Sequence, residues 1–231
     1  MNFLAHLVLA EGPPRVGRPP GAVRPRSGAP VVLDPLALVG SLLPDLARDV
    51  PAYRGRRGET HPDLPKRLRD AIVLHRLIDR VTDTHPAFLR TRARLTPRYG
   101  RFAGVVADVL FDHVMSRCWD HPAEQDDRFP PMPRAAFIIA AHESLQSDEA
   151  SAVMPTGMTR TIDAMIEHGW LERYATAPGL DRTFLELSYR FTRRYGRAVD
   201  LSGVADHVHQ HASELLDDFD ELWAALLKRI T

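Results

Sequence analysis

Cysteine is nearly absent from this chain: Cys118 stands alone among 231 residues. One thiol cannot close an intramolecular disulfide or build a multi-cysteine zinc site, and the scarcity fits a reducing cytoplasm, the expected location. Net charge is missing too, because thirty basic residues balance thirty acidic ones. No overall field then draws the protein to nucleic acid or to an anionic membrane, and neither is expected as a partner. Long apolar runs are also lacking; nothing approaches the roughly 20 residues that a membrane-spanning helix needs. The apolar start, residues 1–10, has no basic leader and is interrupted by His6. It is read as the beginning of the fold rather than a signal peptide. Finally, no stretch alternates β-branched and polar residues in the manner of a strand.

What remains is helical patterning with two interruptions. Residues 11–35 are rich in Pro, Gly and Arg, and residues 51–65 carry Arg54, Arg56, Arg57 and His61 between prolines. Such stretches do not sustain regular helix, and both are expected as loop insertions. Between them residues 35–50 read as a short helix, with Asp34 as N-cap and Pro35 at the first helical position. Further helices are expected over 66–83, 86–95, 102–119, 133–147, 150–168, 182–193 and 201–230, separated by Pro, Gly or Asp breaks. The expectation is an all-α fold, a single-domain helical bundle spanning the chain.

Two helices carry the chemistry. At about 100° per residue, Leu68, Ile72, His75 and Asp79 fall close to one line, while Arg69, Arg76 and Arg80 project from another sector. His75 and Asp79 are one turn apart, so their side chains converge. A buried imidazole beside a buried carboxylate needs a partner, and a divalent cation satisfies both. The plainer alternative is a His–Asp hydrogen bond that fixes two core helices. In the helix over 102–119, which is apolar nearly all round, Asp108, Asp112 and Ser116 form a polar stripe at i, i+4 and i+8. Acids buried together in this way are typical of an O/N-ligated metal site; pairing with arginine is the structural alternative. Asp45, ending the run Gly40-Ser41-Leu42-Leu43-Pro44-Asp45, and His6, inside an apolar segment, are further candidates. His207, His209 and His211 alternate, so only His207 and His211 share a helix face, and a surface position is expected for them.

Four segments in order carry a family resemblance. Met1-Asn2-Phe3-Leu4-Ala5-His6-Leu7 resembles the start of the bacterial acyl carrier protein phosphodiesterase family, and Gly40-Ser41-Leu42-Leu43-Pro44-Asp45 its next motif. His75-Arg76-x-Ile78-Asp79-x-x-Thr82-Asp83-x-x-Pro86 is similar to its most distinctive block, and Asp108-x-x-x-Asp112-His113-x-x-Ser116-Arg117-x-Trp119 to the fourth. The C-terminal half resembles the family only in its general helical character.

The resemblance implies a fold distantly related to the HD-type metal phosphohydrolases, and a site holding Mn²⁺, with Mg²⁺ or Fe²⁺ as alternatives. It makes His75, Asp79, Asp45 and Asp112 the leading metal ligands, followed by His6 and His113, with Asp83 and Asp108 orienting them. The chemistry of the residues adds catalytic roles: His113 or Asp83 for proton transfer, and Arg76 or Arg117 for clamping a phosphoryl oxygen. The implied reaction is hydrolysis of the phosphodiester joining 4′-phosphopantetheine to a serine of holo acyl carrier protein. A cation bound by His and carboxylates suits that chemistry, since it lowers the pKa of a water and neutralises phosphoryl charge. Acyl carrier protein, an acidic partner, calls for a basic docking patch; Arg54, Arg56 and Arg57, or Arg90, Arg92, Arg94, Arg98 and Arg101, are the candidates. Two other functions stay open: an HD-like hydrolase of a nucleotide or small phosphoester, and a non-catalytic helical interaction protein.

Overall fold

The protein is described from a computed structural model covering residues 3–11, 32–47, 63–120 and 128–230. Most of both expected insertions, with Asp49, Arg54, Arg56, Arg57 and His61, lies outside the described residues. Among the described residues every regular element is helical, as the patterning predicts. No described helix is long and apolar enough to cross a membrane. The chain divides into two compact units, each built from separate stretches: Phe3–Asp79 with Trp119–His168, and Arg80–Cys118 with Gly169–Arg229.

The first unit is organised around α2 (Pro35–Leu46), which contacts α1 (Phe3–Ala10). The first seven residues of α1, Phe3 through Leu9, are all buried. Such a helix has no wet face and must lie inside the fold. Asp34 caps α2 as expected, accepting the N–H groups of Leu36 and Ala37 at 3.0 and 3.1 Å, with Pro35 following. The seven residues from Ala37 to Leu43 are buried without a break. Helix α3 (Lys66–Thr84) begins in this unit and lies very close to α2: a Cβ on Gly40 would come within 2.6 Å of the Leu68 carbonyl oxygen. Only glycine permits that approach.

Beyond α4 (Pro86–Tyr99) and α5 (Ala103–Trp119), three helices complete the first unit: α6 (Arg134–Leu145), α7 (Asp148–Val153) and α8 (Thr156–Glu167). All three contact α2. The helix expected over 150–168 is thus two helices. Pro155 interrupts them, because its ring removes a backbone donor and disfavours helix at Met154, whose backbone is extended.

The second unit holds α4, α5, α9 (Trp170–Arg173), α10 (Ala177–Tyr195), α11 (Val204–Gln210) and α12 (Ala212–Ile230). Helix α10 starts five residues earlier than expected because Thr176 caps it, accepting the Gly179 N–H at 3.2 Å. It stops at Gly196, which takes the left-handed conformation at φ 64°. The span expected over 201–230 breaks at His211, which separates α11 from α12. An aromatic chain joins α4, α5 and α12: Phe88 meets Phe111 edge-on at 5.8 Å, Phe111 meets Phe219 at 6.3 Å, and Phe219 stacks on Trp223 at 5.7 Å. Beside it Asp218, only 3% exposed, accepts from Arg90 Nε and Thr91 Oγ1 at 2.8 Å each and pairs with Arg94. A buried carboxylate held by three donors ties α12 to α4.

Candidate metal centre

Three of the expected ligands converge in the first unit. The ligating atoms of His6, on α1, and of His75 and Asp79, on α3, all lie within 4.8 Å of one another. His6 Nε2 is 3.2 Å from Asp79 Oδ1, and His75 Nε2 is 3.0 Å from Asp79 Oδ2. The two imidazole rings stack, with centroids 4.0 Å apart and planes 17° from parallel. His6 and His75 are buried, whereas the Asp79 side chain is half exposed. That corrects the expectation of a buried Asp79: helix phase puts it on the line of His75, but one turn further along, where cover ends.

The tautomer of His75 is set by its surroundings. Its Nδ1 lies 2.6 Å from the carbonyl oxygen of Ser41, which has no proton to give, so Nδ1–H donates. In the neutral ring Nε2 then carries a lone pair, and that lone pair faces a carboxylate oxygen. The contact is not aligned as a hydrogen bond, and Nε2 has no other partner among the described residues. Two lone pairs at 3.0 Å repel unless a positive charge lies between them. A proton on Nε2 supplies one answer, which the upward shift of the His75 pKa favours, and a shared metal cation supplies another.

The electrostatics follow the same lines. Burial works to lower the His75 pKa, but the Asp79 contact and the charges of Asp79 and Asp45 outweigh it and the net shift is upward. For His6 burial prevails over the Asp79 contact, and the shift is downward. Burial alone would raise Asp79, yet its contacts with His6 and His75 hold it well below the ordinary carboxylate range. The result is a carboxylate beside a neutral His6, a cluster that gains from one shared cation.

These residues fit a divalent metal. Ligands about 2.0–2.2 Å from one ion stand roughly 3.0–3.4 Å from each other, the spacing seen from Asp79 to each Nε2. The donor set of two imidazoles and a carboxylate suits a first-row divalent ion. Ser41 orients the His75 ring from behind, the contact that a ligating histidine would need. That contact carries no residue-type signal, because a backbone carbonyl is common to every residue; the legible part is Gly40, whose missing side chain lets α2 and α3 come close. Asp45, half-buried near the end of α2, acts electrostatically on both histidines.

The remaining expected residues sit as follows. Arg76 is half-buried on α3 in the first unit. Asp83, Asp112 and His113 belong to the second unit. Asp83 is exposed, whereas Asp112 is fully buried on α5. His113 donates its Nδ1–H to the Tyr174 carbonyl at 2.6 Å. Burial, reinforced by Arg117, lowers its pKa against the pull of that hydrogen bond, so the ring is neutral. Its other nitrogen then carries the lone pair. Burial and the charge of Asp112 both push the Tyr174 hydroxyl pKa up. Asp108 is half-buried, and Ser116 Oγ is buried without a partner.

Comparison with known proteins agrees with the motif blocks and extends them. The family model described as acyl carrier protein phosphodiesterase matches residues 33–226, so the likeness runs through the C-terminal half that the motifs did not reach. The acyl carrier protein phosphodiesterase of Photorhabdus laumondii is 28% identical over 225 residues, covering 96% of this chain and 89% of that protein. The protein of the same name from Yersinia enterocolitica is 27% identical over 229 residues, covering 99% and 97%. That from Salmonella dublin is 30% identical over 177 residues, covering 75% and 70%. No solved structure matches the chain, so the relation to HD-type hydrolases has no structural counterpart here. The chain belongs to the acyl carrier protein phosphodiesterase family.

Proposed function

We propose that this protein hydrolyses the phosphodiester between 4′-phosphopantetheine and a serine of holo acyl carrier protein, using a divalent cation held by His6, His75 and Asp79. The observation that carries this reading is the convergence of two imidazoles and a carboxylate: with His75 Nδ1 spent on Ser41, Nε2 of both histidines faces Asp79, an arrangement that a cation satisfies. Family membership supplies the substrate class. Asp45, whose charge acts on both histidines, and Asp112 are the further ligands that the motif blocks assign. Mn²⁺ is the ion we favour.

When bound, the cation neutralises charge on the phosphoryl oxygens and lowers the pKa of a water. The chain's own residues do the rest. Ser41 keeps the His75 ring in one orientation, and the depressed pKa of Asp79 keeps it an anion at any physiological pH. In the reaction a water oxygen bonds to phosphorus and the phosphorus–serine oxygen bond breaks. The serine oxygen takes up a proton, giving apo carrier protein and 4′-phosphopantetheine. His113, neutral and fixed by Tyr174, is the group we assign to proton transfer, and Arg76 the clamp on a non-bridging oxygen. Asp83 orients neighbouring groups. A carrier-protein substrate places the reaction in the cytoplasm.

The test is mass-spectrometric conversion of holo to apo carrier protein, after chelation and after Mn²⁺ is restored. Chelation should abolish conversion and Mn²⁺ should restore it. His75→Ala and Asp79→Ala should each lose at least 100-fold in activity along with bound metal. Hydrolysis confined to nucleotides or small phosphoesters would replace the substrate assignment, and metal-free protein indifferent to both substitutions would sink the catalytic reading.

A further inference from the structure

The alternating histidines 207, 209 and 211 stand outside the proposed catalytic residues, and the structure separates them. His209 is exposed, whereas His207 and His211 are half-buried rather than on the open surface expected for them. Their rings face each other, with centroids 4.5 Å apart and planes tilted by 40°. His207 lies on α11, and His211 occupies the break before α12, where its backbone has left the helical range. The pair belongs to one short stretch of the second unit.

Each ring leaves a nitrogen unspent. His207 Nε2 and His211 Nδ1 are both shielded from solvent, and neither has a hydrogen-bond partner among the described residues. Buried polar atoms without partners are costly, so two on facing rings mark a place that a ligand would fill. A carboxylate stands beside them: Glu214 Oε1, in the first turn of α12, is 3.6 Å from His211 Nδ1. That separation is long for a hydrogen bond and close to the roughly 3.5 Å between two ligands of one tetrahedral ion. The other carboxylate oxygen accepts from Ser213 Oγ at 3.1 Å. The Glu214 side chain is half exposed and has room to turn toward the pair. Burial, His211, and the charges of Arg94 and Arg98 lower the His207 pKa, which leaves a neutral ring able to ligate. Arg94 is itself paired with Asp218, and Arg98 is turned to the Ser202 carbonyl at 3.0 Å.

We propose that His207 Nε2, His211 Nδ1 and the Glu214 carboxylate bind a zinc ion that joins α11 to α12 across the break at His211. Two imidazoles and a carboxylate are a zinc donor set, with water in the fourth position. The short chain between the histidines favours chelation, because the ion on one ring meets the other at high effective concentration. None of these residues belongs to the first unit, so the proposal is independent of the cation at His6, His75 and Asp79. A water bridging the two nitrogens is the rival occupant.

The test is calorimetric titration of Zn²⁺ into the metal-stripped full chain and into its His207→Gln, His211→Gln and His6→Ala variants. Each of the first two should bind one ion fewer per chain than the parent, whereas His6→Ala should keep the ion at His207 and His211. In ¹⁵N spectra, Zn²⁺ should shift the ring nitrogens of His207 and His211 in the parent and in His6→Ala. Glu214→Gln should weaken this binding without abolishing it. A single ion lost in His207→Gln and retained in His6→Ala supports this site and removes the first-unit cation. A single ion lost only in His6→Ala overturns the proposal. So does equal stoichiometry in the parent and both ring variants with unshifted His207 and His211 nitrogens, which assigns the gap to water. If a ring variant fails to fold, the shifts in the parent decide alone.

Discussion

Replacing Gly40 by alanine joins the fold to the site in one perturbation. A methyl group at this position meets the Leu68 carbonyl oxygen at 2.6 Å and Ala71 Cβ at 2.7 Å. Ordinary contacts lie at about 3.5–4.0 Å. One obstacle is backbone and the other a side chain with no torsion to turn, so α2 and α3 must separate by about 1 Å. Overpacking costs about 1–3 kcal/mol, and the upper end applies where backbone must move. Alanine's better helix propensity returns about 1 kcal/mol. The net loss of about 2 kcal/mol lowers Tm by roughly 4–8 °C in a chain of this size. The same 1 Å stretches the 2.6 Å contact between His75 Nδ1 and the Ser41 carbonyl to about 3.6 Å, beyond hydrogen-bond range. With its ring unanchored, His75 should lose about 10- to 100-fold in metal affinity. Calorimetry and Mn²⁺ titration of Gly40→Ala measure both quantities, and Ala71→Gly in the same chain should recover part of each. An unchanged Tm with undiminished Mn²⁺ affinity would refute the close crossing as the device that anchors His75.

Two stability measurements test other parts of the fold. Glu11 accepts the Asp34 N–H at 3.0 Å, yet burial, with the Asp34 charge, raises its pKa to about 7. Because the folded pKa lies above the unfolded one, the folded state binds more protons between about pH 4.5 and 7, and stability falls as pH rises through that window. Solvent screening reduces the effect to about 1 kcal/mol, and a Tm series from pH 4.5 to 8 should show a decline that Glu11→Gln removes. A wild-type slope of the opposite sign, or one that survives the substitution, would contradict this. In the second unit, Asp218→Ala takes the carboxylate from Arg94 and the hydroxyl of Thr91, while Arg90 keeps Glu221. It should cost about 3 kcal/mol in urea unfolding, and a loss below 1 kcal/mol would show that the aromatic chain alone ties α12 to α4.

The fold was legible where periodicity and capping speak together. Asp34-Pro35 marks the start of α2 to the residue, because the cap and the proline each satisfy a requirement of a helix N-terminus. Boundaries went astray where the deciding interaction was local but not periodic. Pro155 splits α7 from α8, and an interruption at His211 splits α11 from α12. Thr176 moves the start of α10 back, since a threonine cap followed by proline in the first turn begins the helix ahead of its polar stretch. Nor does periodicity reveal that the chain folds as two compact units assembled from separated stretches. Which segments share a core depends on non-local packing, and the hydrophobic pattern of each helix is satisfied by any apolar neighbour.

The site divides along the same line. The pairing of His75 with Asp79 follows from i, i+4 geometry and was readable at once. His6 was not readable by itself, because a single histidine in an apolar helix serves equally well as a core residue with a hydrogen-bonded partner. What changes its standing is its ring stacked at 4.0 Å on His75, with Nε2 directed at the same carboxylate. A purely structural histidine would be expected to spend both nitrogens on protein partners, since an orphaned buried nitrogen is costly. Here His75 spends Nδ1 on Ser41 and leaves Nε2 without a hydrogen-bond partner among the described residues, facing Asp79; His6 also faces Asp79 through Nε2, while its Nδ1 has no partner among the described residues. Two buried imidazoles that aim Nε2 at one half-exposed carboxylate are the donor set the proposed cation would take. The exposure of Asp79, which the helix pattern missed, fits the proposed site: a catalytic cation held there would be reachable from solvent on the side of Asp79.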